Sequence, residues 1–590
     1  MRRFVICAVV ALVATPVEGA PRRSAEARKL HALMEADWEW RLEQFPTLAT
    51  EVGDPRYDDR LPDLSPNAIE RRKRHNRERV AKIEKIDRSR LSPEDALNYD
   101  LFRRDALEEL EADGFPEEYL QLSGRGGVHE LLGELAQQIP RDTVKDYENF
   151  LARMRAYPAH VDQHIALLRK GLAAGVTPPR SILEQVPGLV AGHAAGDPAE
   201  SAIYTLAFDS FPASIAEPER ARLRAAAVEA LRDHVLPAIR RFHAFVRDEY
   251  VPGARATVGF SALPRGTEWY AHRVKRMTTT DLAADEIHQI GLSEVKRLRA
   301  EMEQLKVEAG FRGELQEFFR ELRTDPRHFF ITRGALLVGY RDIAKRVDGE
   351  LPRLFGRLPR LPYGVLPIPE YSEQTQTTAY YMPGAPDSGR AGVFFANTYD
   401  LKMRPRWEME ALTLHEAVPG HHLQISLAQE LEGLPKFRRY GGYTAFVEGW
   451  ALYAESLGPE LGMYRDPYSR FGALTYEMWR AIRLVVDTGL HAKGWSREQA
   501  IAYFRENAPK TDHDIRVEVD RYIFSAGQAL AYKLGQLKIR ELRREAEAAL
   551  GQRFSVRAFH DQILGAGPLP LAILESRIRA WISEQKRRPS

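Results

Sequence analysis

Residues 413–424 read TLHEAVPGHHLQ, placing His415, Glu416, His421 and His422 within eight residues of chain. Two imidazoles with a carboxylate beside the first are what zinc-assisted hydrolysis requires. Imidazole nitrogens ligate Zn²⁺, and the adjacent Glu takes a proton from the water that the metal activates. The arrangement is close to His-Glu-x-x-His, in which two His four residues apart share a helix face. Here the fourth position after His415 is Pro419, and the next His is at the sixth. In an unbroken helix the sixth position points nearly opposite, and the seventh lies about 10.5 Å along the axis. Neither can share an ion whose Zn–N bonds are only about 2.0–2.1 Å long. Pro419 changes this geometry, because it offers no N–H to the His415 carbonyl and its ring presses on that carbonyl. Gly420 then frees the backbone. A bulge that loops out about two residues returns His421 to His415, and one of about three returns His422 instead. The plainer alternative is a Pro-Gly helix break flanked by two ordinary histidines.

A second cluster supplies the missing ligand. Residues 444–455, TAFVEGWALYAE, put Glu448 and Glu455 seven apart on one helical face. Zinc peptidases of the His-Glu type often draw a third ligand, a Glu, from a second helix downstream. Glu448 follows His421 by 27 residues, enough to finish one helix, turn at Gly441–Gly442 and start another. Glu455 is placed to orient a ligating His through its other ring nitrogen, and His422 is either the second ligand or a neighbour of it. The alternative is a half-buried amphipathic helix with solvated acids. With one Zn²⁺ per chain on His415, His421 and Glu448, a fourth position stays open for water and Glu416 is the general base. The oxyanion needs a further donor, and Tyr522, Tyr532 and His491 are the candidates. Each has a structural alternative, the tyrosines as core anchors and His491 packed on Trp495. Arg480 and Arg483 are candidates to grip a substrate carboxylate, or else to pair with Asp487 or Glu477.

The same segments resemble a bacterial family catalogued as a domain of unknown function, number 885. The matching stretches are VFFANTYDLKMRP (393–405), EALTLHEAVPGHHLQ (410–424), FVEGWALYAE (446–455) and EMWRAIRLVVDTGLHAKGWS (477–496). VDRYIFSAGQALAYKLGQLKI (519–539) and MTTTDLAADEIHQIGLSEV (277–295) extend the resemblance, which is densest from about 265 to 545. It implies a helical, zinc-peptidase-like protein. More distantly, HEAVPGHH, FVEGW and AGQALAY fall in the order of the zinc helix, Glu helix and Tyr-bearing helix of the thimet-oligopeptidase clan, which favours Tyr532 over Tyr522. One departure is Ser525-Ala526-Gly527, where that clan pattern implies Trp-Pro-Gly or similar; it leaves the aim of both tyrosines open.

Helices must position these groups. Apolar residues recur at three-and-four spacing over 26–45, 66–88, 94–112, 143–173, 218–249 and 281–308. Punctuation falls at Ser65-Pro66, Ser92-Pro93, Gly124–Gly127, Pro178-Pro179 and Pro252-Gly253. The Gly124–Gly127 loop leads to a second His-Glu pair, His129–Glu130, which has no further His close by in the chain and reads as a loop entering a helix. Short strands are expected at Pro362–Pro369, Thr377–Met382 and Val393–Thr398, around a turn at Pro383–Gly392. An edge strand ahead of the zinc helix can hold an extended peptide, and Val393–Asn397 is assigned that role, with Asn397 as a side-chain contact. The alternative is a hairpin that only caps the lobe.

The expected fold is mostly α, two-lobed and zinc-peptidase-like around a cleft, with a small β-sheet before the metal-binding helix. MRRFVICAVVALVATPVEG reads as a signal peptide cleaved after Gly19, too short to span a membrane. Cys7, the single cysteine, lies too early for a lipoprotein cleavage box, so the mature chain has no disulfide and no stable membrane anchor, in the periplasm or secreted. The remaining 571 of 590 residues exceed one simple core, so an N-terminal lobe over 20–250 and a catalytic lobe over 251–590 are expected, interleaved. Lys plus Arg of 85 against Asp plus Glu of 83 excludes the basic excess of a nucleic-acid binder. The reading is an exported zinc metallopeptidase acting on short peptides. A zinc amidase or esterase on a non-peptide or cell-wall substrate is one alternative, and a non-catalytic helical binding protein is another.

Overall fold

The computed structural model describes residues 23–123, 126–194 and 196–588, so the expected signal peptide lies outside the described residues. Helices account for most of the described chain, with one three-stranded sheet, in agreement with the mostly α expectation. The Ser-Pro signals act as read: Ser65 and Ser92 cap helices Pro66–Ile83 and Pro93–Ala112, each with Pro at the first helical position. Helix Val144–Ala174 starts at a Thr143 capping box and ends at Gly175, whose φ of 66° only glycine adopts cheaply. The expected 218–249 helix runs from Glu217 through two π-type segments, Leu231–Val235 and Val246–Tyr250. Each is followed within two residues by a proline, Pro237 or Pro252, which cannot donate to the regular ladder. One apolar core extends from Leu30 near the amino terminus to Ile582 in the last helix.

Seven helices and the sheet frame the candidate site. They are α1 (Ala284–Glu308), α2 (Met409–Glu416), α3 (His421–Gln429), α4 (Thr444–Glu455), α5 (Pro467–Ala492), α6 (Asp512–Phe524) and α7 (Leu530–Leu550). The strands are β1 (Tyr363–Pro367), β2 (Ala379–Met382) and β3 (Gly392–Ala396), in the order β1-β3-β2. β3 pairs parallel with β1 and antiparallel with β2, with Ala379 opposite Ala396. The strand expected to offer a free edge, Val393–Asn397, is therefore the central one. Its backbone is engaged on both sides, and the edge belongs to β2.

α1 and α7 meet α5 at a buried ion cluster in which Lys533 Nζ lies 2.7 Å from Glu477 and 2.9 Å from Glu294. α4 and α7 pack backbone against backbone at Gly449 and Gly535. A methyl group on Gly535 would collide with the Ala445 carbonyl oxygen and lie 2.7 Å from Gly449 Cα. Those two helices carry Glu448 and Tyr532, so this contact sets their separation. Gly535→Ala is expected to cost about 1–3 kcal/mol or more through overpacking, read as a lower melting temperature. An unchanged melting temperature would show that the helices tolerate a wider spacing.

Candidate metal centre

α2 carries His415 and Glu416 and ends at Ala417, whose ψ of −112° leaves the helix. The Val418–Pro419 peptide is cis, and Gly420 at φ −76°, ψ −127° precedes α3. A side chain at Gly420 would strike the carbonyl oxygens of Leu414 and His415, so the turn requires glycine. The His422 amide closes it by donating to the Ala417 carbonyl at 3.1 Å. The turn sets the His421 ring perpendicular to that of His415, centroids 4.8 Å apart. His422 is carried the other way, its Nδ1 2.9 Å from the Tyr381 hydroxyl.

α4 completes the cluster. Glu448 Oε2 is 3.7 Å from His415 Nε2 and 3.4 Å from His421 Nε2, and the three donor atoms lie within 4.8 Å of one another. Tetrahedral ligands with bonds near 2.0–2.2 Å are spaced about 3.3–3.6 Å apart, so the donors need little movement to share one ion. Glu448 Oε2 and His421 Nδ1 are buried without a hydrogen-bond partner among the described residues, an arrangement that is costly for the polypeptide alone. Glu455, one face-repeat along α4, accepts from His415 Nδ1 at 2.8 Å, which turns Nε2 toward Glu448. Arg480 Nη2 is 3.2 Å from the same Glu455 oxygen.

Burial opposes charge on His415, but Glu448 and Glu455 outweigh it and lift the imidazole to about 9. Burial likewise opposes ionisation of Glu448, and His415 and His421 overcome it, holding the carboxyl well below its ordinary value. A cation held by this cluster would replace that proton, so its binding would release protons.

The cluster opens into a cavity of about 340 Å³ lined by Glu416, Tyr532, Arg480, Arg483, Trp479 and the β2 segment from Thr377 to Tyr381. The Tyr532 ring lies nearly parallel to that of His415 with centroids 6.2 Å apart, and the Arg483 guanidinium carbon lies over the Tyr532 ring, 4.3 Å from its centroid. Its hydroxyl receives a hydrogen bond from Gln528 Nε2 at 3.3 Å.

Other expected residues stand elsewhere. The Tyr522 hydroxyl accepts from Trp479 Nε1 at 2.8 Å and Arg483 Nε at 2.9 Å and is fully buried behind the cavity wall. His491 is not available to an oxyanion: Nδ1 accepts from the Phe260 amide and Nε2 donates to the Tyr522 carbonyl. It follows Arg483 by eight residues on α5, roughly 12 Å along the axis. The Asn397 amide donates to the carbonyls of Glu373, Gln376 and Thr377, and its oxygen accepts from the Tyr399 amide, so it braces a loop and does not reach the cavity. Arg480 and Arg483 line the cavity, yet they pair with Glu455 and Glu518, while Asp487 and Glu477 have other partners.

The Ser525-Ala526-Gly527 departure has its own support. Gly527, at φ 82°, donates its amide to Asp487, which also accepts from the Tyr270 hydroxyl at 2.7 Å. This fixes the turn between α6 and α7 and hence where the helix that carries Tyr532 begins. Burial pushes the Asp487 carboxyl up to about 7. Unfolded, it titrates near 3.9, so from about pH 4 to 7 the folded chain binds the extra proton and loses stability as pH rises. Asp487→Asn is expected to remove that loss, on the order of a few kcal/mol, so that in urea unfolding the variant gains on the parent between pH 5 and pH 8. Parallel stability curves would place the ionisation elsewhere.

Sequence reasoning missed β2 as the cavity edge, along with Trp479, Glu518 and Arg521. Glu518 and Arg521 carried a local signal, an acid and a base three apart on α6 beside the Tyr522 motif, and they pair at 3.0 Å.

Among solved structures, the chain is similar to two bacterial proteins that carry the description "putative lipoprotein". One, from Colwellia psychrerythraea, is 28% identical with a TM-score of 0.87 over 95% of this chain and 100% of that one. The other, from Shewanella oneidensis, is 19% identical with a TM-score of 0.67 over 94% and 99%, which shows a shared fold. No curated protein matches the chain. Among the described residues no helix is long and apolar enough to cross a membrane. The profile of a bacterial protein family of unknown function, DUF885, matches residues 46–578, most of the chain, and the protein belongs to that family.

Proposed function

We propose that this protein is an exported zinc-dependent hydrolase that cleaves peptide bonds in short peptides. The observation that carries this reading is the convergence of His415, His421 and Glu448 at a cavity that also holds Glu416 and Tyr532. Zinc held by those three side chains would supply Lewis acidity, activating a water and polarising the scissile carbonyl. Glu416, beside a ligand and open to the cavity, takes the proton of the attacking water and delivers it to the leaving amine. Tyr532 donates its hydroxyl proton in a hydrogen bond to the oxygen that gains charge. Glu455 holds the His415 tautomer, and Arg480 neutralises Glu455.

A peptide substrate is favoured by β2, an edge strand whose residues line the cavity and whose unpaired side can offer backbone groups to an extended chain. Export rests on the amino-terminal leader and on the description shared by the two similar structures. Elemental analysis tests the centre: His415→Ala and Glu448→Ala should each hold one zinc fewer per chain than the parent. Equal zinc in parent and both variants would sink the reading. A mass-spectrometric digest of a peptide library then separates a peptidase from an amidase of other substrates.

A further inference from the structure

His129 and Glu130 stand in the chain without a nearby partner, but the fold supplies one from 63 residues beyond Glu130. Helix Val186–Ala194 brings His193 Nε2 to 3.2 Å from Glu130 Oε1, while His129 Nε2 lies 3.8 Å from the same oxygen. The two imidazoles are nearly perpendicular, at 77° with centroids 5.4 Å apart. The three donor atoms fall within 4.8 Å of one another. This repeats the arrangement at His415, His421 and Glu448, where perpendicular rings share one carboxylate oxygen at 3.7 and 3.4 Å.

A simple His193–Glu130 ion pair would account for two of the three groups and leave the third unexplained. His129 is 2% exposed, its Nδ1 is buried with no hydrogen-bond partner among the described residues, and its Nε2 stands 3.8 Å from Glu130 Oε1, too far for a hydrogen bond to it. Every neutral imidazole carries one N–H donor and one acceptor nitrogen, so burying a ring with one of them unused is costly. His129 Nε2 is turned toward the same Glu130 oxygen that His193 reaches, and a cation there would give it a partner. Two imidazoles and a carboxylate at spacings of 3.2–3.8 Å are the donor set and the separations of a zinc-class site.

We propose that His129, Glu130 and His193 form a second site for a divalent transition metal of the zinc class, separate from the His415 centre. The ion would tie the turn before helix Leu131–Gln138 to helix Val186–Ala194. Gly126 and Leu189, from those two segments, line a cavity of about 660 Å³, and Arg521 lines both this cavity and the one at the metal centre. Occupancy of the second site therefore fixes one wall of the larger chamber.

The test uses the full mature protein, loaded with zinc, freed of excess and measured for zinc per chain. The expected result is two in the parent, one in His193→Ala, one in His415→Ala and none in the double variant. A parent with one zinc, lost in His415→Ala and kept in His193→Ala, overturns the second site while leaving the first. A parent with one zinc, lost in His193→Ala and kept in His415→Ala, upholds the second site and removes the first. His193 lies at a partly exposed helix end, so its loss should leave the fold intact, checked by circular dichroism. Cobalt(II) added to His415→Ala gives an independent reading. Visible absorption of a four-coordinate ion that disappears in His193→Ala/His415→Ala supports the site, and its absence from both counts against it.

Discussion

Glu416→Gln should lower turnover by roughly 10²–10⁴-fold while leaving zinc content and folding unchanged, because a general base contributes about that much. Gln occupies nearly the same volume, and no metal ligand is removed. Glu416 is 7% exposed and lines the cavity directly after His415, so it can reach a water there without any rearrangement of the backbone. The loss should fall on turnover with little change in KM, since the proton moves only in the chemical step. Steady-state kinetics on a peptide found in the library digest, with zinc measured on the same sample, gives the answer. Full activity in a zinc-loaded Gln variant would transfer the base role to another group or leave the protein a binder.

Tyr532→Phe is expected to cost roughly 10²–10³-fold in turnover, the usual scale for losing one oxyanion donor. Phe keeps the ring that stacks on His415 and lies under Arg483, so packing changes little. Among the described residues the hydroxyl makes a single long hydrogen bond, received from Gln528 at 3.3 Å, and its own proton remains to be given. Tyr522→Phe is the natural control: that hydroxyl is already held by Trp479 and Arg483 behind the wall. Removing it should lower stability more than turnover. If the two variants lose turnover equally, the oxyanion role does not belong to Tyr532 in particular.

Much of the fold was legible because its signals are local. Ser65-Pro66 and Ser92-Pro93 mark helix starts because capping and proline stereochemistry act within one turn. The long helix over 281–308 emerges as Ala284–Glu308, since three-and-four periodicity needs no distant partner to be recognised. The prolines at 237 and 252 were less legible: they leave the helix running through π-type segments where a break is also reasonable. Strand positions were found, but strand order was not. Which strand lies in the middle depends on β1 pairing with β3 across the intervening β2, so β1 and β2 flank β3 for reasons outside any one strand.

The sequence by itself determined the chemistry on offer: His415 and Glu416 adjacent, Pro419-Gly420 to interrupt the helix, and Glu448 and Glu455 on one face of a later helix. Spacing, periodicity and backbone sterics are properties of consecutive residues, so they can be read in order along the chain. The tertiary structure decided which imidazole turns inward, because the Gly420 turn depends on how α2 and α3 pack around it. It decided that Arg480 and Arg483 are paired with Glu455 and Glu518, that His491 is locked to Tyr522 and Phe260, and that His193 stands beside Glu130. Those outcomes join residues from 25 to 231 positions apart. A buried polar group takes whichever partner the packed fold brings within reach, and that choice is made by contacts between elements, not by neighbours in sequence.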